Sequence, residues 1–139
     1  MKQFNHTLRI ETNGPGLTEM TVDVVSWVRD QGIEEGLLTL FVQHTSASLL
    51  IQENADPDVQ RDLQTFFEKI APWDASLYRH STEGEDDMPA HIRSALTQTS
   101  LSIPLIDAAL LLGTWQGIYL YEHRAHRQRR NVVLHLYGN

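Results

Sequence analysis

The sequence predicts an α+β fold, a largely antiparallel sheet or sandwich with two or three helices. Three observations carry this: the chain starts with alternating apolar and polar side chains, β-favouring runs outnumber helical periods, and no regular helical crossovers separate the strands as a doubly wound sheet requires. Phe4, His6, Leu8 and Ile10 share one face of a half-buried strand that ends at the turn Asn13-Gly14-Pro15-Gly16. A helix is expected next, capped by Thr18, with Met20, Val24, Trp27 and Val28 at helical spacing and Gly32 near its end. Gly36–Gln43 is an apolar, β-favouring run that Leu49-Leu50-Ile51 resumes after the polar break HTSAS. Asp56-Pro57 starts a second helix, since Asp caps free N–H groups and Pro suits the first helical position. It runs to about Ile70, with Val59, Leu63, Phe66, Phe67 and Ile70 expected on the core face before Pro72. Residues 73–87 lack periodicity and read as a long loop, of the kind that is often functional in small domains. Asp87 stands where an N-cap would, ahead of a short helix with Pro89 in its first turn and Ile92, Ala95 and Leu96 inward. Strands at Leu101–Ile106, Thr114–His123 and Asn131–Tyr137 complete a single expected domain over 1–139, with no internal repeat.

Composition narrows the function classes. With 139 residues and 41% apolar content the chain can bury one core. No stretch approaches the roughly 18 apolar residues of a membrane span. The start MKQFNHTLRI has neither the charged head nor the apolar middle of a signal peptide, so no membrane partner and a cytoplasmic location are expected. There is no cysteine, so a transition-metal site must use His, Asp and Glu. A net charge of −7 argues against nucleic acid as a partner. One local exception is His123–Arg130, which holds four of the eleven Lys and Arg residues and suggests a specific anion site.

Three constellations could carry chemistry. In RHSTEGEDDMPAHI, Arg79–Ile92, the carboxylates of Glu83, Glu85, Asp86 and Asp87 crowd between His80 and His91. Alone, such a run is ordinarily a solvated loop with a helix cap. Flanked by two imidazoles it is also the ligand set of a divalent cation: imidazole-rich coordination points to Zn²⁺, carboxylate and water to Mg²⁺ or Mn²⁺. His44-Thr45-Ser46-Ala47-Ser48 reads as a bulge whose hydroxyls satisfy local backbone groups, with a serine nucleophile the weaker option, since no orienting acid or nucleophile elbow accompanies it. The basic run after His123 is either a solvated hairpin loop or a phosphate clamp, guanidinium matching phosphate in bidentate geometry. Carboxylates and histidines for a metal, joined with arginines for an anion, suit a small phosphorylated molecule.

Four blocks resemble the YjbQ family, described as secondary thiamine-phosphate synthases: His44-Thr45-Ser46-Ala47-Ser48, Glu53–Val59, His80–Ile92, and Leu112–Gly117 followed by Glu122-His123-Arg124. They occur in the family's order and span most of the chain. The resemblance implies an α+β domain with a β-sandwich of mostly antiparallel strands, assembling as a homotrimer, with a histidine-lined pocket near the subunit boundaries. It also implies a weak, metal-assisted transfer joining a hydroxymethylpyrimidine diphosphate to a thiazole phosphate with release of diphosphate. By position, His44, His80, His91 and His123 match the family's histidines, here taken as metal ligands. Asp86 and Asp87 match its paired acids and Arg124 its strand-end arginine; with Glu83 of the same run they form the expected catalytic set. Arg124, with Arg129 or Arg130, would stabilise the leaving diphosphate beside a Zn²⁺ or Mg²⁺ ion. The alternative is a trimer that binds a metal or a phosphorylated metabolite, its main role unknown and its synthase activity incidental. The chain departs from the family at Asp107-Ala108-Ala109-Leu110, where a glycine and a basic residue are common.

Overall fold

The period-two alternation at the start extends beyond Ile10. In the computed structural model, which describes residues 1–139, β1 spans Lys2–Asn13 and pairs antiparallel along its length with the last strand, β8, Arg127–Gly138. On the other side of β8 lies β3, Gly36–Val42, followed by β5, Ser100–Ile106, and the short β6, Ala109–Leu110, giving the order β1-β8-β3-β5-β6. A second antiparallel sheet has the order β2-β7-β4, from Gly16–Glu19, Gln116–Glu122 and Ala47–Glu53. With helices α1 (Thr21–Asp30), α2 (Pro57–Ile70) and α3 (Asp87–Leu96), the architecture is α+β, as the sequence predicts.

Both sheets contribute to one core. Leu38, Leu40 and Val42 of β3, Leu101, Ile103 and Leu105 of β5, and Val132, Leu134 and Leu136 of β8 alternate inward, meeting Leu49, Ile118 and Leu120 of the second sheet, Val24 and Val28 of α1, and Met20 just before that helix. Each such side chain contributes about 1.5–3 kcal/mol on burial, which ties the two-residue register of every strand to the core. No helix is long and apolar enough to cross a membrane.

Several local expectations change. Thr18 does not cap α1. Residues Gly16–Glu19 instead add an edge strand to β7, and the helix begins at Thr21, whose hydroxyl donates to Glu19 and accepts from the Ile118 N–H. The break HTSAS is no bulge within one sheet, because it carries the chain from β3 in the first sheet to β4 in the second. Asp56 caps α2 as expected, its Oδ1 accepting the Asp58 N–H at 2.9 Å. Of the five apolar residues assigned to the core face of α2, however, only Phe67 is buried; Phe66 and Ile70 are 55% and 43% exposed. The long loop contains one turn of 3-10 helix, Ala75–Leu77, capped by Asp74. Strand β8 begins four residues before Asn131, so the second half of His123–Arg130 is strand. The β5–β6 hairpin turns on Asp107 and Ala108, both left-handed at φ 52° and 62°, a conformation that costs about 1 kcal/mol for a residue with a Cβ.

Candidate metal centre

Helix α3 begins at Asp87, and neither Asp86 nor Asp87 acts as a side-chain cap, contrary to the expected N-cap role of Asp87. Cations claim both carboxylates instead. Positions 87 and 91 are four apart and share one helix face, which sets His91 Nε2 3.1 Å from Asp87 Oδ2. The loop returns His80 to the same oxygen, Nε2 to Oδ2 2.7 Å. These three residues form a group whose ligand atoms lie within 4.8 Å of one another. The Asp87 side chain is only 3% exposed, whereas those of His80 and His91 are 41% and 32% exposed, so the cluster has a sealed floor and an open mouth.

The proton positions matter most. His91 Nδ1 lies 2.9 Å from the carbonyl oxygen of Thr45. A carbonyl can only accept, so Nδ1 carries the proton, and in the neutral ring Nε2 is then a bare lone pair aimed at a carboxylate oxygen. That arrangement needs either an imidazolium or a cation between the two. Imidazole anchored through its second nitrogen to a backbone carbonyl is also the usual support for a metal ligand.

Behind the histidines, Arg124 binds both acids. Its Nε donates to Asp86 Oδ2 at 2.8 Å, its Nη1 lies 2.8 Å from Asp87 Oδ1, and its Nη2 donates to the Glu83 carbonyl at 3.0 Å. Asp86 Oδ2 also accepts the Ala125 N–H at 2.8 Å. Burial works against ionisation of Asp86, but the hydrogen bonds from Arg124 and Ala125 outweigh it and hold the carboxyl below the usual carboxylate range. Burial likewise opposes ionisation of Asp87, and His80, His91 and Arg124 together bring it below its ordinary value. The Glu83 carboxylate is exposed and reaches only to 3.9 Å from His80 Nε2.

The other two histidines lie apart from this group. His44 Nε2 accepts the Asn131 N–H at 2.8 Å, and its Nδ1 faces Arg130 Nη1 at 3.5 Å. Burial and the neighbouring Arg130 charge depress its pKa. His123 is fully buried, with Nε2 2.9 Å from Ser48 Oγ and its ring against Tyr121 at 4.4 Å between centroids; burial pushes its pKa down to about 3. It is a neutral core residue in this arrangement. The basic run divides as well: Arg129 donates to Glu11 at 3.1 Å on the surface, while Arg130 is buried on Glu122. Only Arg124 reaches the acids.

Two participants escaped the sequence reading. The Thr45 carbonyl carries no side-chain signal. Glu122 ends the buried run Ile118–Tyr121, and an acid in that position demands a buried cation, a clue that pointed to Arg130.

Comparison with known proteins bears on identity. The family model described as "UPF0047 protein YjbQ-like" matches residues 6–139. The UPF0047 protein sll1880 of Synechocystis sp. is 53% identical over 99% of this chain and 93% of its own. The UPF0047 protein YjbQ of Escherichia coli O157:H7 is 40% identical over 97% of this chain and 98% of its own. Among solved structures, an uncharacterised YjbQ/UPF0047 protein of Clostridium acetobutylicum superposes with TM-score 0.84 at 34% identity, covering 96% of this chain and 99% of that one. A YbjQ-like protein of unknown function from Sulfolobus solfataricus superposes with TM-score 0.86 at 21% identity, over 99% of this chain and 100% of that one, which speaks for the fold alone. These proteins carry family descriptions without an activity, and none is described as a thiamine-phosphate synthase. The expected synthase activity is therefore set aside, and a protein whose main role is unknown is the closer reading. With the match running over nearly the whole chain and identity reaching one half, the protein belongs to the UPF0047 YjbQ-like family.

Proposed function

We propose that the protein binds one divalent transition-metal ion, best matched by Zn²⁺, through His80, Asp87 and His91, and that a small phosphorylated metabolite occupies the ion's open position. The observation that carries the proposal is the His91 ring: its Nδ1–H is committed to Thr45, and its Nε2 converges with His80 Nε2 on a single carboxylate oxygen. Two imidazoles and one carboxylate favour Zn²⁺ over Mg²⁺. Ligand atoms around tetrahedral Zn²⁺ with bonds of about 2.1 Å stand about 3.4 Å apart. The part-exposed rings need to move outward by only several tenths of an ångström to admit it. Three protein ligands leave one position open, as in sites that bind a substrate or water.

The dication changes the sign of the local charge. Asp86, Asp87 and Arg124 alone are net negative; with the ion added they are net positive, which suits a phosphate oxygen as the fourth ligand. Every nitrogen of Arg124 already binds protein acceptors, so its part is to hold the two acids in place. The homotrimer implied by the family resemblance belongs to the same proposal.

Calorimetric titration of dialysed protein with Zn²⁺ tests the reading. One ion per chain is expected, and Asp87→Ala and His91→Ala are each expected to weaken it by at least about 100-fold. Unchanged zinc affinity in either folded variant refutes the shared site. Such a result would leave His80 and His91 as imidazolium partners of Asp87, a purely structural ion cluster.

A further inference from the structure

The opposite face of α3 carries a cation that nothing in the metal centre uses. Arg93 stands about 200° around the helix from His91 and is 2% exposed. Its Nη2 donates to the carbonyl of Ala71, the C-cap of α2, at 2.9 Å. Its Nε is buried without any partner, and no ion pair includes this guanidinium. A helix C-terminus offsets part of a buried positive charge. It does not replace a counter-ion, and an unpaired buried charge is expensive enough that folds rarely retain one without use.

Arg93 is not enclosed on every side. It lines a cavity of about 280 Å³, together with Pro15, Gln64, Glu68, Pro72 and Trp73. Trp73 is 40% exposed, so one wall is an aromatic surface open to solvent. Gln64 and Pro15 also border an adjoining cavity of about 470 Å³, which leaves room beyond the first. A volume near 300 Å³ is at the small end for organic ligands and suits a single ring with its substituent.

We propose that this cavity binds a small organic oxyanion, a carboxylate or phosphate borne on a planar ring, with Arg93 holding the anion and Trp73 covering the ring. The guanidinium supplies charge-assisted donors in a sheltered position, where they are strong. Glu68 also lines the cavity, its exposed carboxylate engaged by Gln64 Nε2 at 3.3 Å and its charge felt by Arg93, so it weakens the hold on any anion there. This site is independent of the metal centre.

The test uses three probes on the full chain: phenyl phosphate, benzoate and inorganic phosphate, each titrated while the indole N–H signals are followed by NMR. At least one ring-bearing probe is expected to saturate with Kd at or below about 1 mM, moving the Trp73 signal, which the spectrum of Trp73→Ala assigns. Which of the two binds tighter distinguishes carboxylate from phosphate ligands. Inorganic phosphate is expected to bind at least about tenfold more weakly, lacking the ring. Arg93→Met, which keeps the length and removes the charge, is expected to lower affinity by about tenfold or more. Glu68→Gln is expected to raise it severalfold, and His91→Ala to leave it unchanged. Absence of saturation by both ring-bearing probes overturns the proposal, as does unchanged affinity in folded Arg93→Met. If Arg93→Met does not fold, Trp73→Ala decides, because that side chain is largely exposed: unchanged affinity there overturns it too. Loss of binding in His91→Ala would move the ligand to the metal centre and overturn it as well.

Discussion

Two clusters in this molecule are built from the same residue types, a carboxylate, an arginine and histidines, and they come to opposite ends. Around Glu122, which is fully buried, every acceptor position is taken. Oε1 accepts the Thr12 hydroxyl at 2.8 Å and Arg130 Nε at 2.7 Å, while Oε2 accepts the N–H groups of His123 and Arg124 at 3.0 Å and Arg130 Nη2. Around Asp87 the arginine takes one oxygen, and two imidazole nitrogens compete for the other in sight of solvent. The first cluster closes around its carboxylate, with no Glu122 oxygen left over, although the buried Nδ1 of the adjoining His123 has no partner. In the second, His91 Nε2 and an Asp87 oxygen face each other, which calls for a proton or a cation between them. Composition alone does not separate a closed lock from an open socket; burial and the filling of each carboxylate oxygen do.

The sharpest way to break the comparison is to remove one partner from the closed cluster. Glu122→Gln or Arg130→Met is expected to cost about 3–5 kcal/mol in urea unfolding, because the partner's charge is left buried and alone. A loss below about 1 kcal/mol would put this pair in the class of exposed ion pairs and erase the distinction. Next in size is acid sensitivity. His123 titrates ordinarily near 6.5 but at about 3 in the fold, so its neutral form is the one the core accepts. Its stabilisation is complete above about pH 6.5 and declines by about 1.4 kcal/mol per pH unit as pH falls toward 3, since only the unfolded chain takes up the proton. His44, also depressed, adds to the slope. Unfolding measured from pH 7 to 5, where carboxylates remain ionised, is expected to be distinctly flatter in His123→Gln; an equal slope would mean that this ring is not sealed. The smallest effect belongs to the open cluster: His80→Ala is expected to cost less than about 1 kcal/mol of stability at pH 7 while zinc affinity falls steeply. Comparable losses in stability and binding would mean that the socket is in fact part of the lock.

Much of the fold was readable because its signals are local. The alternation in β1, the β-favouring apolar run of β3, the Asp56-Pro57 helix start and the short helix after Met88 all depend on near neighbours. What misled was competition from distant partners. Thr18 has the chemistry of a cap, yet the free edge of β7 claims its backbone. Phe66 and Ile70 follow the period of a buried face, but Phe67, packed on Tyr121 of β7, is the one apolar residue of α2 that is fully covered. For the site, the clustering of His80, Asp87 and His91 within twelve residues was legible, since i,i+4 spacing and a short return loop bring them together. The separation of His44 and His123 from them was not. Each of those rings is placed by residues far along the chain, Asn131 and Arg130 for His44 and Ser48 for His123.

The segment that passes from the first sheet to the second bears on how this scaffold tolerates changes of length. Across Gln43–Ser48 each residue answers to a different distant group: the Gln43 N–H to Asn131, His44 Nε2 to the Asn131 N–H, the Thr45 carbonyl to His91, Ser46 to Arg130, the Ala47 carbonyl to Ser94, and Ser48 to His123. Added residues in a surface loop are ordinarily absorbed at little cost. Here a single inserted residue would offset contacts with five distant residues at once, on β8, on α3 and just after β7, so grafts and linkers do not belong in this joint.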